Sequence, residues 1–362
     1  MDQYSQPIEI AEGLSRLDIN WKMKRYTWPT LRERFRNTVR TAESYAVYMS
    51  ATPDRQTEIK DIGGFVGGYV LPGRRTKLTV LSRSVLTLDL DFATPQAWAV
   101  FQFMYPNAAV FHTSHKHSPA AHRYRLIMPL SRDVTPIEYL AIGRRVAGNL
   151  GIDMFDNSGF QYERLMYWPS TAADGEYLFH TQDGPFLDAD AVLKTYRDWT
   201  NVAEWPVGTG YDVERAEETR KAGEPTEKPG AIGAFCSVYT IAEAIAKFLP
   251  DAYHATDDPN RYTYAHGSTS KGLVIYDEVF CHSHHGTDPI GGKMVNAYDL
   301  VRIHRFGHLD HNARPDTNVT ALPSYLAMQD FAVKDEQVKR MIVNSNIERG
   351  RASDVFKDFM LP

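Results

Sequence analysis

Apolar and polar positions in the first 200 residues fall into short runs whose period switches repeatedly between helix-like and strand-like. Thr41 to Ala51 has helical spacing and is stopped near Pro53. Gly63 to Val70 reads as a strand whose glycines allow close backbone approach. Val85-Leu-Thr-Leu-Asp-Leu-Asp-Phe92 is a buried strand by its apolar run, yet it carries Asp89 and Asp91. Thr94-Pro95 predicts a helix with Thr as N-cap, ending near Tyr105-Pro106. Ala108 to Thr113 and Arg123 to Met128 are further strands. Thr135-Pro136 opens a second helix, which runs to Asn149 and stops at Gly151. Arg164 to Trp168 and Tyr177 to His180 read as closing strands. The pattern predicts an α/β or α+β domain, with helices over a mainly antiparallel sheet.

Beyond residue 200 the character changes. Residues 201–230 hold Gly, Pro and a charged stretch, and predict a linker. Residues 231–310 predict a small α+β module: a helix at Thr240 to Phe248, short strands from Tyr262 to Ser283, and a helix at Asn296 to Arg305. Residues 311–362 predict a helical tail.

Composition narrows the class without fixing it. The 362 residues are 43% hydrophobic and 23% charged, as in ordinary globular chains. Two cysteines, Cys236 and Cys281, exclude a disulfide scaffold and a four-cysteine zinc ribbon. No apolar run reaches membrane-span length and the N-terminus has no signal-peptide shape, so a cytoplasmic protein without membrane contact is expected. The net charge of −5 leaves room for local basic patches.

Chemistry concentrates in four clusters. Asp89 and Asp91 are two apart on a strand, so both carboxylates face one side. Two like charges there call for a cation between them, and hard divalent ions take carboxylate oxygens. The second cluster is Thr113-Ser114-His115-Lys116-His117, at a strand end; His115 and His117 share a face if the strand continues. Arg123 and Arg125 are same-face neighbours on the next strand, and their forks suit triphosphate oxygens. Asp153 and Asp156 precede the Arg164 strand.

In that order the clusters resemble the motifs of archaeo-eukaryotic primases and primase-polymerases: an acidic pair, a small-x-His and a hydrophobic-acid. The likeness is greatest to primases of phages and prophages that carry a virulence-associated E helicase. It extends through Lys60-Asp61-Ile-Gly-Gly-Phe-Val-Gly-Gly, Leu81-Ser-Arg-Ser84, His122-Arg-Tyr-Arg-Leu and Arg164-Leu-Met-Tyr-Trp-Pro-Ser-Thr171. Further matches are Ser283-His-His-Gly-Thr-Asp-Pro289 and Asn296-Ala-Tyr-Asp-Leu-Val-Arg-Ile-His304, so about residues 5–310 are covered. The resemblance implies an RRM-like primase-polymerase core (1–200) that holds two Mg²⁺ or Mn²⁺ ions and an incoming NTP or dNTP on a single-stranded DNA template. It implies Asp89, Asp91 and Asp156, with Asp153 as fallback, as metal ligands. It implies His115, His117, Arg123, Arg125 and Arg83 at the nucleotide. Template contacts are expected from Arg74, Arg75 and Lys77, from Arg32 to Arg36, and from Arg302 and Arg305 in the second module, where Tyr262, Tyr264 and Tyr276 offer stacking faces.

Two departures qualify the likeness. Larger relatives continue into a P-loop helicase, and no Gly-x-x-x-x-Gly-Lys-Ser/Thr occurs here, so a separate helicase or a truncated piece is expected. Cys281, His282, His284 and His285 lack the paired spacing of a zinc site, and no zinc is expected. Two rivals stand beside this reading. One is a replication-initiator nickase built on His115 and His117. The other is a non-enzymatic accessory that binds nucleic acid.

Overall fold

The computed structural model describes residues 4, 6–209, 223–314 and 317–345. The chain divides into two units, Met1–Trp199 with Glu204–Tyr211, and Thr200–Ala203 with Asp212–Pro362.

In the first unit the elements run β1 (Ile8–Gly13), β2 (Lys22–Tyr26), α1 (Trp28–Arg36), β3 (Val39–Arg40), α2 (Tyr45–Ser50), α3 (Pro53–Lys60), β4 (Gly64–Val66) and β5 (Arg83–Leu90). They continue with α4 (Ala97–Met104), β6 (Ala109–Thr113), β7 (Tyr124–Val134), α5 (Pro136–Leu150), β8 (Met166–Tyr167), β9 (Ser170–Thr171), β10 (Phe179–Gln182) and α6 (Ala189–Leu193). One antiparallel sheet has the order β2-β1-β4-β8 and a second the order β10-β6-β7-β5. In the second, β5 and β6 both run antiparallel to β7 and are joined through α4. This is the split β-α-β of RRM-like sheets, and β10 extends it on the β6 side. The unit is mixed α and β with mainly antiparallel sheets, as the sequence pattern predicted; the short pair β3–β9 is parallel.

Local chemistry accounts for the placement of α5. Thr135 and Glu138 form a reciprocal capping box at its start, and Gly151 ends it at φ 105°, where a side chain would be strained. Ile142 and Val146, four apart, share one buried face of the helix. On the other side, Ile10, Trp28, Phe35, Phe65, Val85 and Ile127 form a shared core, so α1 joins the two sheets through fully buried side chains. Helix α4 begins at Ala97 rather than at Thr94-Pro95; Gln96 precedes it without a side-chain cap. The β1–β2 hairpin was not foreseen.

The second unit contains α7 (Ala231–Val238), α8 (Ile241–Phe248), β11 (Tyr253–Ala255), β12 (Arg261–Tyr264), β13 (Leu273–Tyr276), β14 (Phe280–Ser283), β15 (Met294–Asn296), α9 (Ala297–Phe306) and α10 (Pro323–Lys334). Its five strands form one antiparallel meander. Phe235, Ile241, Leu273 and Val301 share a core with Met328, Ala332 and Val338.

Two expected boundaries move. The described part of the helical tail belongs to the second unit's core rather than standing apart. Within 201–230, Trp205 donates from Nε1 to the Trp199 carbonyl at 2.8 Å and Pro206 accepts from Arg144 at 3.1 Å, so Glu204–Tyr211 closes the first unit. The expected linker's residues 210–222 and the tail's 346–362 lie outside the described residues.

Candidate active site

Strand pairing brings the acids and arginines together. Asp89 on β5 stands opposite Arg125 on β7. Arg125 Nε lies 3.1 Å from Asp89 Oδ1, and its Nη1 donates to the Tyr167 carbonyl at 3.0 Å. Asp91 lies just past the end of β5, where its Oδ2 meets Arg123 Nη1 at 3.0 Å. Asp156 joins through its backbone: its N–H donates to the Asp89 carbonyl at 3.1 Å. Arg164 then bridges the two acids, 3.0 Å from Asp156 Oδ2 and 3.9 Å from Asp89 Oδ2. All six side chains line one cavity of about 130 Å³.

His115 is also in the wall of this cavity. Its Nδ1 is 2.9 Å from Ser170 Oγ, while the buried Nε2 has no hydrogen-bond partner among the described residues. Burial, with Arg125 and Lys60 nearby, lowers its pKa to about 4, so the ring is neutral at pH 7. Tyr48 packs on it with ring centroids 4.3 Å apart. Lys60, at the end of α3, completes the wall over the Tyr167 ring at 5.2 Å. Burial lowers its pKa to about 8, and among the described residues no carboxylate is within ion-pair reach of it. The cavity thus gathers five basic side chains, Lys60, Lys116, Arg123, Arg125 and Arg164, against three carboxylates.

Sequence reasoning singled out the acids, His115, Arg123 and Arg125, and the structure brings them together with Asp156. Asp153 is elsewhere: it is exposed and accepts from Thr209. Lys60 lay inside a quoted motif but was given no role. A lone lysine carries no sequence signal for burial, which here comes from packing against Tyr167.

Among the described residues no three His, Cys, Asp or Glu side chains are gathered as a ready metal cage. The donor type nonetheless fits Mg²⁺ or Mn²⁺. Mg²⁺ is commonly held by one or two carboxylates, with water and substrate phosphates completing the shell. Asp89 and Asp91 supply such carboxylates, provided Arg125 and Arg123 release them to the ion.

Other expectations are corrected. His117 does not share the cavity. Strand β6 ends at Thr113 and the chain turns, so His117 Nδ1 accepts from the Arg123 N–H and its Nε2 faces Glu176 at 3.4 Å. His115 and His117 therefore do not meet in this cavity. Arg83 is fully buried: it donates to the carbonyls of Gly67, Tyr162 and Val85 and to Thr87 Oγ1, and lies over the Tyr139 ring. It is a core cross-link, out of reach of a nucleotide. Arg75 is held by the Glu163 carbonyl and stacks over Trp21, whereas Arg74 is exposed and Lys77 half-buried. In the second unit Arg302 is buried and bound to Asp299 and Ser324, while Arg305 is exposed beside Phe331. Tyr264 is a core residue there, and Tyr262 and Tyr276 are half-buried.

A family model described as the VapE N-terminal domain matches residues 2–208. No curated protein sequence matches the chain. Among solved structures, the AEP domain of the cyanophage S-2L primase-polymerase is similar at 13% identity and TM-score 0.30, over 52% of this chain and 88% of that one. The crystal structure of primase RepB′ is similar at 9% identity and TM-score 0.28, over 94% of this chain and 93% of that one.

Proposed function

The chain belongs to the VapE N-terminal domain family, and we propose that it is a primase-polymerase that makes or extends primers on a single-stranded DNA template. The observation that carries this reading is the cavity in which Asp89 and Asp91 are ringed by Lys60, Arg123, Arg125 and Arg164 with a neutral His115.

Each group has a task that its chemistry suits. Asp89 and Asp91 would hold two Mg²⁺ or Mn²⁺ ions, which when bound stabilise the attacking and leaving oxygens of nucleotidyl transfer. Arg123 and Arg125, whose forks suit phosphate oxygens, would pair with the triphosphate where Asp89 and Asp91 hold the ions. Lys60, which has no carboxylate of its own in the described structure, offers a fixed charge to the same phosphates. His115, kept neutral by burial, has one unpartnered ring nitrogen with which to hold a phosphate oxygen. Arg164 keeps Asp156 beside Asp89.

The test is incubation with Mn²⁺ or Mg²⁺, all NTPs and dNTPs, and a single-stranded template, with and without a primer. New or lengthened strands are expected. A cut template, or retention without synthesis, would defeat the proposal.

A further inference from the structure

A second cavity, about 700 Å³, lies beside the first sheet. The short strand β8 separates it from the candidate active site. Tyr167, the last residue of β8, lines the active cavity, and Trp168, the first residue past the strand, lines this one.

Its wall is built around Arg34. The guanidinium lies 3.6 Å from the centre of the Trp168 ring and donates to Glu12 and to the Tyr26 hydroxyl. Three contacts therefore fix the orientation of one planar group, and the acid nearest to it is already paired. Leu14, 89% exposed, and Ile62 give apolar sides, and Asn20 adds an amide. Lys22 and Lys24, two apart on the edge strand β2, put two exposed ammonium groups on the same side. Asp18 is engaged by the backbone N–H groups of Leu14 and Asn20.

We infer that this groove binds a nucleobase together with its phosphate, the base stacking against the fixed guanidinium and the phosphate meeting Lys22 and Lys24. Arginine planes and aromatic rings are the surfaces on which unpaired bases stack, and lysines track the backbone. The volume is within the range of small-ligand sites. The shared chemistry has two sources, a free nucleotide or one unit of a single strand. The inference rests on the nucleic-acid reading above and adds a holding point apart from the candidate active site.

The experiment uses the full chain in EDTA, with a fluorescent twelve-residue oligo-dT followed by anisotropy and dAMP as competitor. Lys22→Ala/Lys24→Ala is expected to weaken oligonucleotide binding about tenfold and to lower the log–log salt slope by about 1.4, roughly 0.7 per lost phosphate contact on a single strand. Arg34→Lys, which keeps the charge but not the plane, is expected to weaken binding with the salt slope unchanged. Lys194→Ala, an exposed lysine outside both cavities, is the control expected to bind as wild type. Competition by dAMP would assign the site to free nucleotide; binding of oligonucleotide alone would assign it to a strand. Wild-type affinity and salt slope in both the lysine and the arginine variants, or no wild-type binding of either probe, would overturn the inference. Primer extension is scored separately. A wild-type chain that binds through the groove but never extends defeats only the polymerase reading.

Discussion

Arg125 faces Asp89 directly across the β5–β7 ladder, with Nε 3.1 Å from Oδ1. Both side chains are largely buried, so each neutralises a charge that would otherwise be costly there. The acid pair is therefore balanced by arginine in the described structure rather than left as two repelling carboxylates.

Removing Asp89 should cost stability as well as activity. Asp89→Ala leaves the Arg125 guanidinium buried without its acid, and breaking such a pair costs about 3 kcal/mol. Urea unfolding should show a lower midpoint, and primer extension should fall below detection. Asp91→Ala, whose partner Arg123 is more exposed, should lose extension with a smaller change in midpoint. Equal midpoints for the two variants would mean that burial does not set the cost.

Lys60 should govern nucleotide affinity rather than the fold. With its pKa lowered to about 8 by burial, the ammonium loses its proton as pH rises through that value. The apparent KM for nucleotide is expected to climb between pH 7.5 and 9. Lys60→Arg should flatten that climb, and Lys60→Met should raise KM at every pH by roughly the tenfold that one charge-assisted hydrogen bond is worth.

Arg83 gives the converse case. Arg83→Met leaves the Tyr162 carbonyl without this donor, whereas the Gly67 carbonyl keeps the Ser84 and Val85 N–H groups. An unsatisfied buried acceptor costs about 1–3 kcal/mol. Thermal melting should fall while KM for nucleotide in the folded fraction stays at the wild-type value. A rise in KM with unchanged melting would restore Arg83 to the nucleotide site.

Acid should destabilise the first unit through two imidazoles. Burial lowers the pKa of His112 to about 3 and of His115 to about 4, from an ordinary value near 6.5. The unfolded chain binds these protons first, so stability present above pH 6.5 is lost as pH falls toward 4. A drop in melting temperature on the order of 5 °C is expected between pH 6.5 and 4.5. His112→Leu should make the profile shallower.

The first unit should be more stable on its own when its closing segment is kept. A fragment ending at Tyr211 retains the Trp205 and Pro206 contacts; one ending at Trp199 does not. Extension of a preformed primer is expected from the longer fragment, with higher melting temperature than the shorter. Identical melting of the two would show that residues 204–211 add nothing.

What the sequence disclosed follows from the range of the interactions involved. The acid pair was legible because strand alternation is local and its direction persists one residue past β5, so Asp91 lines the same cavity as Asp89. The caps of α5 were legible for the same reason. The alternation rule would have paired His115 with His117 only on a continuing strand, and β6 stops at Thr113, before either of them. Arg83 reads in sequence like any strand-start arginine; its interior position depends on Gly67, Tyr139 and Tyr162, distant in the chain. Lys60 and the Arg34–Trp168 stack were hidden for that reason too, since each is created by partners on other elements. In the second unit the aromatic strands looked like a stacking platform, yet Tyr264 is taken up by the core.

Tyr167 and Trp168, adjacent at the end of β8, turn their rings to different cavities. A one-residue insertion or deletion just ahead of them would exchange the two sides. Trp168 would then be carried toward the Asp89 side and Tyr167 toward Arg34, so one indel would impair both places at once. Chains of this type that vary in length between Asp156 and Ser170 should therefore place the change in the turn before Arg164, where the alternation of the following residues is left intact.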